Sequence, residues 1–193
     1  MTTENAKHQL ERCLRQVEAH PKSAAAHFNL GLAYTHRGQV DRAERAYRDA
    51  LAIDPDLIEA WVNLGGVLML KWDFQGSMEA NREALKRNDE LVLAHYNLGQ
   101  ACLYLGDADG VVRSSRRVIE LDPDHAAGHY FLAVGLLANK RVEEAHRALN
   151  RAKALGHSPQ PDFLRALNQA EEEFAREQNK NLVTKIGDGT PKD

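Results

Sequence analysis

The sequence predicts an all-α repeat fold, in which antiparallel helix pairs of 34 residues stack and a last helix closes the C-terminal end. Three observations lead there. Asn-Leu-Gly stands at residues 29–31, 63–65 and 97–99, and Phe131, Leu132 and Ala133 take the same places one period later. Breaks recur in step: LAIDPD at 51–56 matches IELDPD at 119–124, two periods on, and RNDE at 87–90 fills the place between them. Between breaks, apolar residues fall at three- and four-residue steps, the spacing of one helix face. Self-similarity at this period marks a repeat architecture, in which units that cannot bury their apolar faces alone stack on one another.

The repeats follow as residues 24–57, 58–91, 92–125 and 126–159, with a lone half-unit at 7–20 in front. Leu10, Leu14 and Val17 give the half-unit its apolar stripe. In the first repeat, Ala24, Phe28, Leu30, Ala33 and Tyr34 form the first helix. Gly38 and Gln39 interrupt it, and Ala43, Ala46, Tyr47, Ala50 and Leu51 form the second. Asp41 is placed to cap that second helix. Pro55 ends it, because it lacks an amide hydrogen and restricts the residue before it. Gly106 with Asp107 repeats the internal turn, and Trp72-Asp73 and Lys140-Arg141 do so with less suitable residues.

Gly31, Gly65, Gly99 and Ala133 share one helical position. Glycine costs about 1 kcal/mol against alanine inside a helix, so its recurrence predicts a neighbouring helix close to the backbone. Ala43, Ser77, Val111 and Ala145 hold the matching place on the second helices, and Ala50, Ala84, Val118 and Ala152 another. At the C-terminal end, Pro161 suits a first helical position. Phe163, Leu164, Leu167, Ala170 and Phe174 then make a stripe backed by acidic residues, predicting a capping helix at 161–178. Residues 179–193 are expected to form a flexible tail, so that 1–178 is one repeat domain.

The pattern resembles the tetratricopeptide repeat family over about residues 7–159. The residues that carry the resemblance in the first repeat are His27, Leu30, Gly31, Tyr34, Ala43, Tyr47, Ala50 and Pro55. Trp61, Leu64, Gly65 and Ala84 carry it in the second, Leu98, Gly99 and Pro123 in the third, and Leu132, Ala133, Ala145 and Ala152 in the last. Asn81 and Ser115 depart from it, standing where a large apolar residue is usual, which predicts a loose or hydrated seam. The resemblance implies a right-handed superhelical solenoid of antiparallel helix pairs, with the first helices lining a concave wall.

On that wall the resemblance places Phe28, Asn29, Leu32 and Thr35, then Asn63 and Met69, then Tyr96, Asn97, Gln100 and Leu103. Tyr130, Phe131 and Val134 end the row. Asn29, Asn63 and Asn97 are its most suggestive members. An amide offers a donor and an acceptor, which is what an extended peptide backbone needs at each residue. In several tetratricopeptide proteins, asparagines at this position contact peptide backbone. The expected activity is therefore a non-catalytic protein-protein interaction module that takes an extended or helical peptide segment. Replacing Asn63 and Asn97 together by alanine is expected to weaken partner capture and leave melting nearly unchanged. The family branch that grips chaperone C-terminal carboxylates is disfavoured, since Phe28, Leu32 and Asn97 stand where its lysine, asparagine and arginine would be wanted. The competing expectation is a self-assembling scaffold or oligomeric accessory subunit, with Trp72, Phe74 and Met78 as contact candidates.

Composition narrows the remaining classes. A formal net charge of -3, with 27% charged residues, gives no basic excess of the kind a nucleic-acid backbone wants. Arg42, Arg45 and Arg48 read as a solvated helix face. No run of 18 apolar residues and no apolar leader is present, so no membrane association and a cytoplasmic location are expected. Cys13 and Cys102 are isolated and read as buried free thiols. Nine histidines invite a metal site, but His27, His95 and His129 occupy equivalent repeat positions and read as structural. HExxH, CxxC, glycine-rich nucleotide loops and a convergent acid, base and nucleophile are all missing. No enzyme activity, cofactor or metal is expected.

Overall fold

The computed structural model describes the backbone of residues 3–187 and the side chains of residues 8–177. Among the described residues there are ten α-helices and no strand. They fall into two compact units, Met1–Asp107 and Ala108–Asp193. The two helices of the third repeat belong to different units.

The first unit holds α1 (Thr3–Ala19), α2 (Ala24–His36), α3 (Val40–Ile53), α4 (Ile58–Leu70), α5 (Phe74–Arg87) and α6 (Val92–Tyr104). Each helix packs on the next, and α4 also touches α6. The turns inside the repeats follow one design. Gly38, Trp72 and Gly106 adopt left-handed φ values of 66°, 63° and 75°. The next amide then reaches back five residues: Gln39 N–H donates to the Tyr34 carbonyl, Asp73 N–H to Leu68 and Asp107 N–H to Cys102. This closure satisfies carbonyls that a helix end leaves open. Glycine enters the left-handed region freely, whereas an L side chain such as that of Trp72 costs about 1–2 kcal/mol there.

Helix starts are more varied. Ser23 Oγ accepts from Ala26 N–H at 3.2 Å, and an Asp73 carboxylate oxygen accepts from Gly76 N–H at 2.9 Å. Asp41 does not cap α3. The helix begins at Val40, one residue earlier, which puts Asp41 inside the first turn. Its carboxylate instead lies 2.7 Å from Lys71 Nζ, which is also 2.7 Å from Glu44. Hydrogen bonds from Lys71 hold both carboxyls below their ordinary pKa. The three groups tie α3 to the end of α4.

The periodic small residues lie in the interior, as their spacing predicts. Ala43, Ser77, Ala50 and Ala84 are fully buried. Beside them Tyr47, Leu64, Val67 and Leu68 form the largest core cluster. The close approach of helices at the glycine position is direct. A Cβ built on Gly31 would lie 2.5 Å from the Tyr47 ring, and one on Gly65 would lie 2.1 Å from the Asn81 amide nitrogen. The seam at Asn81 is closed rather than loose. Asn81 has no exposed surface; its Nδ2 donates to the Ser77 carbonyl at 2.8 Å, and its Oδ1 accepts from Asn97 Nδ2 at 3.4 Å. In α1, Cys13 is buried with Leu10 and Val17 against α2, while Leu14 turns outward at 38% exposure.

The second unit holds α7 (Ala108–Leu121), α8 (Ala126–Ala138), α9 (Val142–Ala154) and α10 (Pro161–Gly187). Val111, Ala145 and Ala152 are fully buried, and Val118 nearly so. Lys140, at φ 57°, takes the left-handed turn position, with Arg141 N–H donating to the Leu136 carbonyl. Pro161 opens α10, whose Phe163, Leu164, Leu167 and Ala170 pack on α8 and α9. The helical backbone continues through 179–187. The rest of the segment expected to be a flexible tail, 188–193, lies outside the described residues.

Candidate protein interaction surface

The first helices start from anchored loops. Trp61 Nε1 donates to the Pro55 carbonyl at 2.8 Å. His27, His95 and His129 repeat this contact: their Nε2 atoms lie 3.0, 2.8 and 2.9 Å from the carbonyls of Pro21, Asp89 and Pro123, each six residues upstream. A ring N–H at this position therefore fastens the preceding loop, and imidazole substitutes for indole. These three histidines are structural, in line with their equivalent places in the repeat. No group of three or more potential metal-ligating side chains comes together among the described residues.

The three row asparagines occupy equivalent positions but are in three different states. Asn29 is exposed. Asn63 is half-buried and turns its Nδ2 to the Glu59 carbonyl of its own helix at 2.7 Å, and its Oδ1 has no hydrogen-bond partner among the described residues. Asn97 is buried, 8% exposed, and donates to Asn81. The residue one repeat before Asn81 explains the difference. Tyr47 stands there, and its hydroxyl is spent on Thr35 Oγ1 at 3.0 Å, so Asn63 finds no amide partner across the seam.

The remaining first-unit candidates divide in the same way. Phe28 packs its ring 5.9 Å from that of Tyr47, and Leu32 lies against the same core. Thr35 is tied to Tyr47 and to the Gly31 carbonyl. Tyr96 is half-buried, which pushes its hydroxyl pKa up, and Gln100 reaches it at 3.5 Å. Met69 is half-buried and Leu103 is 36% exposed. In the second unit, Tyr130 stacks on His157 at 4.3 Å and meets Phe163 edge-on at 5.3 Å. Its ring is thus covered by the start of α10. Phe131 lies edge-on to Tyr130 at 5.9 Å, and Val134 is half-buried.

Two surface features of the first unit emerge that the periodic pattern alone does not announce. One is a cavity of about 490 Å³ between the N-terminal halves of α4 and α6. Val62, Leu91 and Leu93 give it apolar walls, Asn63 opens onto it, and Glu59 and Glu90 stand at it. The other is an aromatic cluster at two turns. Phe74 and Tyr104 stack with ring centres 4.4 Å apart, and Trp72 meets both edge-on, at 5.9 and 6.1 Å. Trp72 is 74% exposed, and Leu70 and Tyr104 are 63% and 57% exposed. Trp72 and Phe74 are legible in sequence as odd residues at an imperfect turn, but Tyr104 lies 30 residues beyond Phe74 and joins them only through packing.

No helix of the described residues is long and apolar enough to cross a membrane. Among solved structures, the chain is similar to a MamA protein at 17% identity, covering 82% of this chain and 90% of that one with a TM-score of 0.74. It is similar to MamA AMB-1 at 22% identity, over 79% and 90% of the two chains, with a TM-score of 0.72. It is also similar to MamA from Desulfovibrio magneticus RS-1 at 16% identity, over 79% and 93%, with a TM-score of 0.69. At these identities the likeness concerns the fold. No curated protein sequence matches. One family model described as tetratricopeptide repeat matches residues 3–58 and 112–159, and a second of the same description matches residues 92–125. The chain belongs to the tetratricopeptide repeat family.

Proposed function

We propose that this protein is a non-catalytic interaction module whose first unit takes an extended segment of another protein along α4 and α6. The observation that carries the reading is the cavity at Asn63. Val62, Leu91 and Leu93 give it apolar walls, and the Asn63 Oδ1 has no hydrogen-bond partner among the described residues. Concave, mostly apolar sites with few polar groups are what ligands fill. Three equal amide rungs do not support the reading, because Asn97 is engaged inside the protein. The grip falls instead on Asn63.

The test is a single substitution. Asn63→Ala removes one unbonded acceptor and an exposed bond to its own helix, so thermal unfolding is expected to stay within a few degrees of the parent. Capture of 12-residue peptides from a random-sequence pool is expected to fall several-fold. Equal capture by the parent and the variant would refute the role given to Asn63.

A second reading, self-association, is favoured by the Trp72 cluster. An exposed tryptophan held in left-handed backbone is an outlier of the kind that gathers at functional places. Trp72→Gly restores the residue found at 38 and 106 and relieves the backbone, so folding is not at risk. Light scattering over a concentration series is expected to show association in the parent and a weaker tendency in Trp72→Gly. A parent that stays monomeric at the highest concentration would eliminate this reading.

A further inference from the structure

We propose that the cavity between α4 and α6 selects a segment carrying a lysine or arginine next to an apolar side chain. This rests on the reading of the first unit as a segment-holding surface and specifies what that surface prefers. The charge at the cavity is of one sign. Glu59 and Glu90 line it, and none of its described lining residues is basic. Both carboxylates are on exposed residues. Among the described residues neither takes part in an ion pair, whereas the nearby cations are engaged elsewhere: Arg87 bonds Asp56 and Glu83, and Lys86 bonds Glu83.

The pair is also particular to this junction. At the position of Glu59 the other repeats carry Ala25, Leu93 and Ala127, so of the four repeats the second alone has a carboxylate there. Its partner is set by the loop. Asn88 Oδ1 accepts from Glu90 N–H at 2.9 Å and holds the turn that presents Glu90. The same cavity is lined by Val62, which is buried, and Leu93, which is 58% exposed. An apolar side chain seated on Val62 and Leu93 would leave its neighbours in the incoming segment beside the carboxylates. A cation there forms an exposed ion pair. Each such pair contributes little on its own, and two together give a preference of roughly tenfold.

The test uses three synthetic pools of 12-residue peptides. Each has a fixed central leucine and random neutral residues, and the leucine is flanked by lysine and arginine, by aspartate and glutamate, or by serine and asparagine. Binding of each pool is measured by fluorescence anisotropy to the full chain, to Asn63→Ala, and to the Glu59→Gln/Glu90→Gln double variant. The parent is expected to bind the basic pool roughly tenfold more tightly than the neutral one, and the acidic pool least. The double variant is expected to lose the preference, binding the basic and neutral pools alike. Raising salt from low to about 0.5 M should compress the parent's preference in the same direction. Binding that is weakened by Asn63→Ala but indifferent to flanking charge, or a basic preference that survives in the double glutamine variant, overturns this inference and leaves the broader reading standing. No binding of any pool overturns both.

Discussion

Gly31→Ala is expected to destabilise the first unit by about 2 kcal/mol, although alanine is the better helix former by about 1 kcal/mol. The reversal comes from the neighbour. The new methyl would meet Tyr47 Cε1 at 2.5 Å and Cδ1 at 2.6 Å. Tyr47 has no exposed surface, its ring touches Phe28, and its hydroxyl is bonded to Thr35. A buried ring fixed on two sides cannot swing aside, so α2 and α3 must separate. Overpacking of this kind typically costs about 1–3 kcal/mol. Gly66→Ala is the internal control. It lies mid-helix in α4, and nothing stands within 4 Å of its Cβ, so only propensity acts and stability should rise by about 1 kcal/mol. The measurement is urea unfolding followed by helical circular dichroism. Gly31→Ala as stable as the parent would mean that the close approach of α2 and α3 is not what holds that position to glycine.

Gly31 and Gly65 are legible as close approaches from the 34-residue period, whereas Gly66 carries the same residue without the neighbour and lies outside the pattern. The period likewise places His27, His95 and His129 with Trp61, because a ring N–H six residues after a loop carbonyl can make one contact whichever ring supplies it. What periodicity cannot carry is a difference between equivalent positions. Asn29, Asn63 and Asn97 look alike in sequence, yet Asn63 and Asn97 each answer to the residue across their own seam: Tyr47 at one, Asn81 at the other. The matched family spans omit residues 59–91, the stretch with Trp72, Ser77 and Asn81. That stretch still folds as a helix pair, since Ala84 and Leu68 stay in the core and Asn81 exchanges apolar packing for hydrogen bonds. The Glu59 and Glu90 pair is invisible to the pattern for a related reason. Two glutamates 31 residues apart carry no signal until the packing of α6 on α4 brings both to one cavity.

Asn81→Ala and Asn97→Ala are each expected to cost about 2 kcal/mol, and the two losses should not add. The bond between them is long at 3.4 Å, so its own strength is modest. Desolvation weighs more. Both residues are buried, and removing one strands the other's amide away from water, at about 1–3 kcal/mol. Asn81→Ala adds a small cavity against Gly65. Replacing both by leucine removes the need for a partner altogether. Leucine already serves at the equivalent place in the fourth repeat, where Leu149 is 2% exposed, and Phe131 stands where Asn97 does. The Asn81→Leu/Asn97→Leu double variant should therefore unfold later than either alanine variant, and the Asn81→Ala/Asn97→Ala double variant should lose about 1 kcal/mol less than the sum of the two single losses. This cycle also separates structure from recognition. Asn97→Ala lowers the unfolding midpoint, while Asn63→Ala, one repeat earlier, acts on capture with the midpoint nearly unmoved. The expectation that a double Asn63/Asn97 alanine variant melts like its parent therefore does not hold for the buried member. If Asn97→Ala proved as stable as the parent, the amide would be facing solvent rather than Asn81, and a row of three free rungs would again be the better description of the surface.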